Sequence, residues 1–278
     1  MNGLEGFLSA RDIWSVPLAA SVLAGALLGF LGVYVVLRRV VFVSAALTQI
    51  STLGLVGTLL VEEWLHVESE HASEQIAVAM VFSVAGALAL AAFRPRRLPA
   101  EATVGAAWVV ASSLVVLGAS FLVHGAHDLG GMVFGNAVAV PAEDLWIIAA
   151  VTGVFAVVHT LFEKEFRFAS FDPETARALG MNVRLWDAVL FAMIGLSIPA
   201  AARALGALPV FAFLTLPASA ALLFRLRLRA ALVAATAIGV VAAGGGYVAS
   251  WLLEVPTGAA MVVVAGAFLL PGLVRKTA

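Results

Sequence analysis

Cysteine is absent from the 278 residues, and charge is scarce, with only 12% of them Asp, Glu, Lys or Arg. Without cysteine there is no disulfide framework and no thiolate metal site. A soluble domain carries about 25% charge, and so few charges could not cover the surface of a chain that is 63% hydrophobic. The interiors of the apolar runs hold almost no acid, and no Ser/His, paired Asp or His-x-x-x-His arrangement occurs there. An intramembrane enzyme lacks its paired groups, and a proton- or sodium-coupled carrier or channel lacks the buried acids it usually uses. A phosphate loop of the G-x-x-x-x-G-K-[ST] kind is missing too, which agrees with any ATP chemistry lying on another chain. The first apolar run, flanked by Glu5 and Asp12, continues to Leu37 without a small-residue cleavage pattern and reads as a first span.

What is present is a repeated alternation. Apolar runs of roughly 20 residues, the length that crosses a hydrocarbon core as a helix, recur between short polar clusters. They fall at about 14–37, 40–61, 75–93, 102–123, 144–162, 185–202, 207–224, 230–253 and 257–274, with Pro199, Pro209 and Pro217 in the sixth and seventh. The expected fold class is all-α, a polytopic membrane protein of about nine transmembrane helices. Lys and Arg set the orientation. With the N-terminus outside, the inner segments collect Arg38, Arg39, Arg94, Arg96, Arg97, Lys164, Arg167, Arg177, Arg184, Arg225, Arg227, Arg229, Arg275 and Lys276. Only Arg11 and Arg203 remain outside. The chain is thus expected to keep its N-terminus outside and its C-terminus in the cytoplasm, with lipid and not nucleic acid as its surroundings.

Two outer loops concentrate histidine and acid. One runs from Glu62 to His71 and contains His66, and the other holds His124, His127 and Asp128. An acidic, solvated loop is the ordinary reading. A weak cation-attracting mouth is the functional one, since imidazole and carboxylate suit zinc, nickel or manganese. The spacing defines no site.

The longest inner segment, about 163–184, reads EKEFRFASFDPETARALGMNVR. Asp172 stands where an N-cap belongs, Pro173 at the first helical position, and Glu174 where a carboxylate meets the positive helix end. Gly180 follows Leu179 in the usual C-terminal position. A short helix over about 173–179 is expected, either an ordinary interfacial helix or an element that docks into a soluble partner.

The stretch from Phe171 to Gly180 resembles the coupling-helix segment of the zinc/manganese/iron permeases of ATP-binding-cassette importers. Other pieces, in order, are similar to that family's patterns. They are Arg38-Arg39, Thr103-Val104-Gly105 after Glu101, Phe134 to Val140 with Glu143-Asp144, Leu205 to Val210, Leu216-Pro217-Ala218, and Pro256-Thr257-Gly258. The resemblance implies one permease domain over 1–278, in a bacterial inner membrane, working as the membrane subunit of an importer for a divalent transition metal, zinc or manganese. It implies a cytoplasmic ATPase that carries the ATP, a second permease copy or paralogue, and an external metal-binding protein, with no cofactor held by this chain and the metal as cargo. Asp172, Pro173, Glu174, Ala176, Arg177 and Gly180 would serve the coupling to the ATPase.

One departure stands out. The family's second span carries an acid and a histidine one helical turn apart, and here Ala45 and Gln49 occupy those positions. Ser44, Thr48 and Ser51 form a neutral polar stripe beside Gln49, read either as close helix packing or as a modified lining of the translocation path. The chain could then be one half of a heterodimeric permease, carry a different cargo, or serve as a non-transporting scaffold. Among the remaining charges, His159 is read as a satisfied or interfacial histidine or as a group in cation exit, and Asp187, soon after Arg184, is expected to pair locally near the interface. Arg203 is a lone external base, and Gly244-Gly245-Gly246 is read as a point of close helix packing or flexibility.

Overall fold

The computed structural model describes residues 11–66, 72–92, 98–122, 140–224 and 226–271, and all regular structure among them is helical. In lipid every backbone N–H and C=O must find its partner within the segment, and uninterrupted apolar runs therefore become helices. In chain order these are α1 (Arg11–Leu37), α2 (Val43–Leu65), α3 (Ala72–Ala92), α4 (Ala100–Ala119) and α5 (Ala142–Leu161). Two short helices follow, α6 (Glu163–Phe171) and α7 (Pro173–Ala178), and then α8 (Val183–Leu205), α9 (Ala207–Leu223), α10 (Leu228–Leu253) and α11 (Thr257–Ala267). Seven of the described helices are long and apolar enough to cross a membrane, and the stretches Pro209–Leu223 and Thr257–Ala267 are shorter apolar helices. Pro199 and Pro217 lie inside α8 and α9 without ending them, and the break between those helices falls at Gly206.

The chain divides into two compact units. One is drawn from Met1–Val36, Gly131–Ala150 and Ala200–Ala278, the other from Leu37–Gly130 and Val151–Pro199. In the first, α1 meets α10 through small residues that let two backbones approach. A Cβ at Gly239 would stand 2.1 Å from the Gly25 carbonyl oxygen, so no side chain fits at that crossing. The glycine run on α10 acts in the same way at one position. A Cβ on Gly246 would lie 2.3 Å from the Met261 Cα, whereas Gly244 and Gly245 meet only ordinary contacts. Glu254, left-handed at φ 53°, turns the chain from α10 into α11. There Ser250 Oγ donates to the Val255 carbonyl at 2.6 Å and lies 2.8 Å from Thr257 Oγ1.

In the second unit α2 packs on α3 and α4. Phe82 fills the space a Cβ on Gly54 would need, and Ile50 does the same at Gly86. Val56, Val115 and Leu122 form a further apolar cluster with Leu53, Leu59, Leu60 and Ala119 around it. Only 17% of the apolar window of α3 or of α4 is buried, against 67% for α1. Val81, Val109, Val110 and Val116 are accordingly exposed, as residues that meet lipid tails can be at no cost.

Candidate functional site

A six-residue helix is too short to stand alone in water, because nucleation costs more than so few hydrogen bonds return. The α7 helix persists because both ends are closed and one side is packed. At its start the Asp172 carboxylate accepts from the Thr175 N–H at 3.0 Å, with Pro173 at the first turn. Hydrogen bonds from Thr175, its side chain and then its backbone N–H, hold the Asp172 carboxyl below the usual carboxylate range. At its end the Gly180 N–H donates to the Arg177 carbonyl at 3.0 Å and the Met181 N–H to the Ala176 carbonyl at 2.9 Å. That pair of bonds is a Schellman closure. It needs a left-handed residue, and Gly180 has φ +82°; a Cβ there would meet nothing within 4 Å, so backbone conformation and not space favours glycine.

The packed side is equally definite. Ala176 is fully buried against Ala169 of α6 and Val183 of α8, with Met181 and Trp186 around them. Phe166 of α6 is also fully buried; its ring stacks on His159 at 5.7 Å and meets Trp186 edge-on at 5.4 Å. Asn182 Oδ1 accepts from the Leu185 N–H at 3.2 Å where α8 begins. Residues 163–187 thus form a small platform. From it Phe171, Asp172, Glu174, Arg177 and Leu179 stand exposed.

The platform is tied to the residue that follows α1. Arg38 Nη2 and Nε donate to Ser170 Oγ at 2.8 and 3.1 Å, and Nη1 forms an ion pair with Asp187. Asp187 therefore pairs with a residue distant in sequence, where a local partner near the interface was expected. Its partner lies 149 positions away, because Arg184 is exposed while Arg38 brings a forked donor to the inner side of α8. In the other unit Arg203 is not alone. Its Nε lies 2.9 Å from Asp144 Oδ1, and Asp144 is buried. The contact is electrostatic, since that N–H is not aligned as a hydrogen bond.

The polar stripe on α2 has a different character. Ser44 and Thr48 are buried, and their hydroxyls donate to carbonyls of their own chain, Ser44 to Val41 at 3.0 Å and Thr48 to Ser44 at 2.8 Å. Thr52 donates to the Thr48 carbonyl at 2.9 Å. Ser51 is buried as well, while Ala45 and Gln49 are half-buried. The Ser44, Thr48 and Thr52 hydroxyls thus satisfy their donor hydrogens on carbonyls three or four residues earlier. Of the external candidates, His66 is exposed in a left-handed turn at the end of α2. His71, His124, His127 and Asp128 lie outside the described residues. Among the described residues no three His, Asp or Glu side chains gather as metal ligands do.

Sequence reasoning found the α7 caps because they are local chemistry. It missed α6 as a helix of its own, and it missed the Arg38–Ser170–Asp187 node. The signals that could have pointed there were the alternation of Phe166 and Ala169 against Glu163 and Arg167, and an acid, Asp187, inside an apolar run.

Comparison with known proteins bears on the chain as a whole. The sequence model of the ABC 3 transport family matches residues 12–276. The manganese transport system membrane protein MntD of Bacillus subtilis is 32% identical over 276 residues, covering 92% of this chain and 88% of its own. MntC of Listeria monocytogenes, named likewise, is 28% identical over 263 residues, covering 94% and 90%. Among solved structures, PsaBC from Streptococcus pneumoniae in complex with Fab has the same fold, with a TM-score of 0.81 at 20% identity over 97% of this chain and 95% of that one.

Proposed function

The chain belongs to the ABC 3 transport family, and from that premise we propose that it is the permease subunit of an ATP-driven importer of divalent metal, with manganese as the cargo. Manganese is preferred to zinc because relatives at 28% and 32% identity are named for manganese transport. In this reading the whole chain is one permease domain in a bacterial cytoplasmic membrane. Its N-terminus lies outside and the platform faces the cytoplasm. ATP is hydrolysed on a separate ATPase, an external binding protein delivers the metal, and a second permease completes the path.

The observation that carries the proposal is α7, closed at both ends and packed through Ala176, so that a push on its outer face cannot be absorbed by unwinding. Glu174 and Arg177 offer charge to a groove in the ATPase, and Phe171 and Leu179 offer apolar area. Ala176 and Gly180 serve by holding the helix in shape. On α2, Gln49 is the residue assigned to the path, with Ser44, Thr48 and Ser51 as the packing behind it. The neutral stripe on α2 also favours pairing with a paralogue that supplies charged ligands, as opposed to a second identical copy.

The test is elemental analysis of cells that express the chain with its ATPase and binding protein, across manganese, zinc, iron, cobalt and nickel. Accumulation of manganese that vanishes with a hydrolysis-dead ATPase is the expected result. Accumulation that persists without ATP hydrolysis would point to a secondary carrier, and assembly without any accumulation would point to a scaffold half.

A further inference from the structure

Arg38 does more than count toward the positive inner face. Its guanidinium reaches both flanks of α7 at once, with Ser170 lying two residues before the N-cap Asp172 and Asp187 within the first turns of α8. The Arg38 side chain is 9% exposed and that of Asp187 19%, so the pair is shielded from the solvent that weakens surface ion pairs. The turn that allows this is itself unusual. Arg39, next to it, sits in the left-handed region at φ 56° and is exposed, while Val40 beyond it is buried. A non-glycine residue in that region carries a cost of roughly a kcal/mol, tolerated where the surroundings fix the backbone. Here the surroundings include three guanidinium contacts, a planar fork that a lysine ammonium cannot reproduce.

We propose that Arg38 is a positioning residue for energy coupling, a clamp that locks α6 and the start of α8 to the turn leading into α2, so that displacement of α7 is passed to the membrane helices. The assignment rests on the importer reading above. Three geometric features support it. The clamp grips on both sides of α7, whose outer residues Glu174 and Arg177 are exposed. It uses a charged, forked donor where a neutral contact would serve if packing alone were required. And the apolar platform of Ala169, Ala176 and Val183 already packs α7 on α6 and α8, which leaves the tie to the turn leading into α2 as what Arg38 adds.

The clamp can be tested with and without transport. In the complete complex with its ATPase and binding protein, Arg38→Ala should lower manganese uptake per ATP hydrolysed at least about tenfold, while hydrolysis continues. Arg38→Lys should not restore it, and the exchanged pair Arg38→Asp with Asp187→Arg should recover part of it. Ser170→Ala, which removes one acceptor and no charge, should give a smaller loss and serves if Arg38→Ala fails to assemble. Independently of any cargo, amide hydrogen exchange on the purified chain should show residues 163–180 opening about tenfold more often in Arg38→Ala or Ser170→Ala. If the native complex moves no metal, the importer reading fails, and the exchange result still decides whether the clamp exists. Unchanged exchange in that segment, or an unchanged ratio of uptake to hydrolysis in Arg38→Ala, would overturn the proposal.

Discussion

The platform around α7 and the polar stripe on α2 are both short polar interruptions in an apolar chain, yet they are built in opposite ways. The platform spends its polar groups on fixing a shape and leaves a mixed charged and apolar face exposed. On α2 the buried Ser44 and Thr48 turn their hydroxyls back onto carbonyls three and four residues earlier, and alanine and glutamine stand beside them where the family resemblance led one to expect an acid and a histidine. The difference separates two tasks that a permease combines. In the proposed reading, the groups that would receive mechanical work are over-determined here, while an acid and a histidine that would ligand a cation are missing from the stretch of α2 expected to hold them.

The comparison can be broken most forcefully at the platform. Deleting residues 172–180 should abolish ATP-linked uptake while the membrane helices still fold, as checked by transport in cells and by helical content of the purified chain. A smaller effect is expected on α2. Introducing Ala45→Asp with Gln49→His places an anion and an imidazole on one helix face, and manganese binding measured by calorimetry should strengthen at least about tenfold over the native chain. No strengthening would mean that this face does not line the path. Next comes Gly180→Val, which forces a β-branched residue into the left-handed region at a cost of about 1–2 kcal/mol. Faster hydrogen exchange in α7 with unaltered exchange in α10 would be its signature.

The smallest effect concerns pH. The Asp172 carboxyl titrates below its unfolded value because Thr175 hydrogen-bonds the charged form. Its contribution to α7 is therefore fully present above the unfolded carboxylate range near 3.9 and fades as pH falls through the lowered native value. Exchange protection of the Thr175 amide should follow that course and should lose it in Asp172→Asn.

How much of this was legible beforehand depends on the range of the interaction. The apolar runs gave the long helices to within a few residues, since length and hydropathy are properties of each segment. Asp172, Pro173 and Gly180 announced α7 because a cap is decided by neighbours one to four positions away. The Arg38–Asp187 pair was not readable, because nothing in a periodicity says which of several arginines an acid will meet 149 residues away. Arg203 and Asp144 are a second case, each noticed alone and joined only in three dimensions. Helix α6 was hidden for a related reason. Its buried face, Phe166 and Ala169, makes sense only once His159, Trp186 and Ala176 are in place.

The most direct test of the account sets its two regions side by side in one assay. Manganese uptake would be measured in proteoliposomes holding the full complex with ATP and the binding protein, for Glu174→Lys and for Thr48→Val. The account predicts that Glu174→Lys abolishes uptake by reversing charge on the exposed face of α7. It predicts that Thr48→Val, which removes a hydroxyl bonded only to its own helix, leaves uptake within about twofold of native. Normal uptake by Glu174→Lys, or its loss in Thr48→Val, would contradict it.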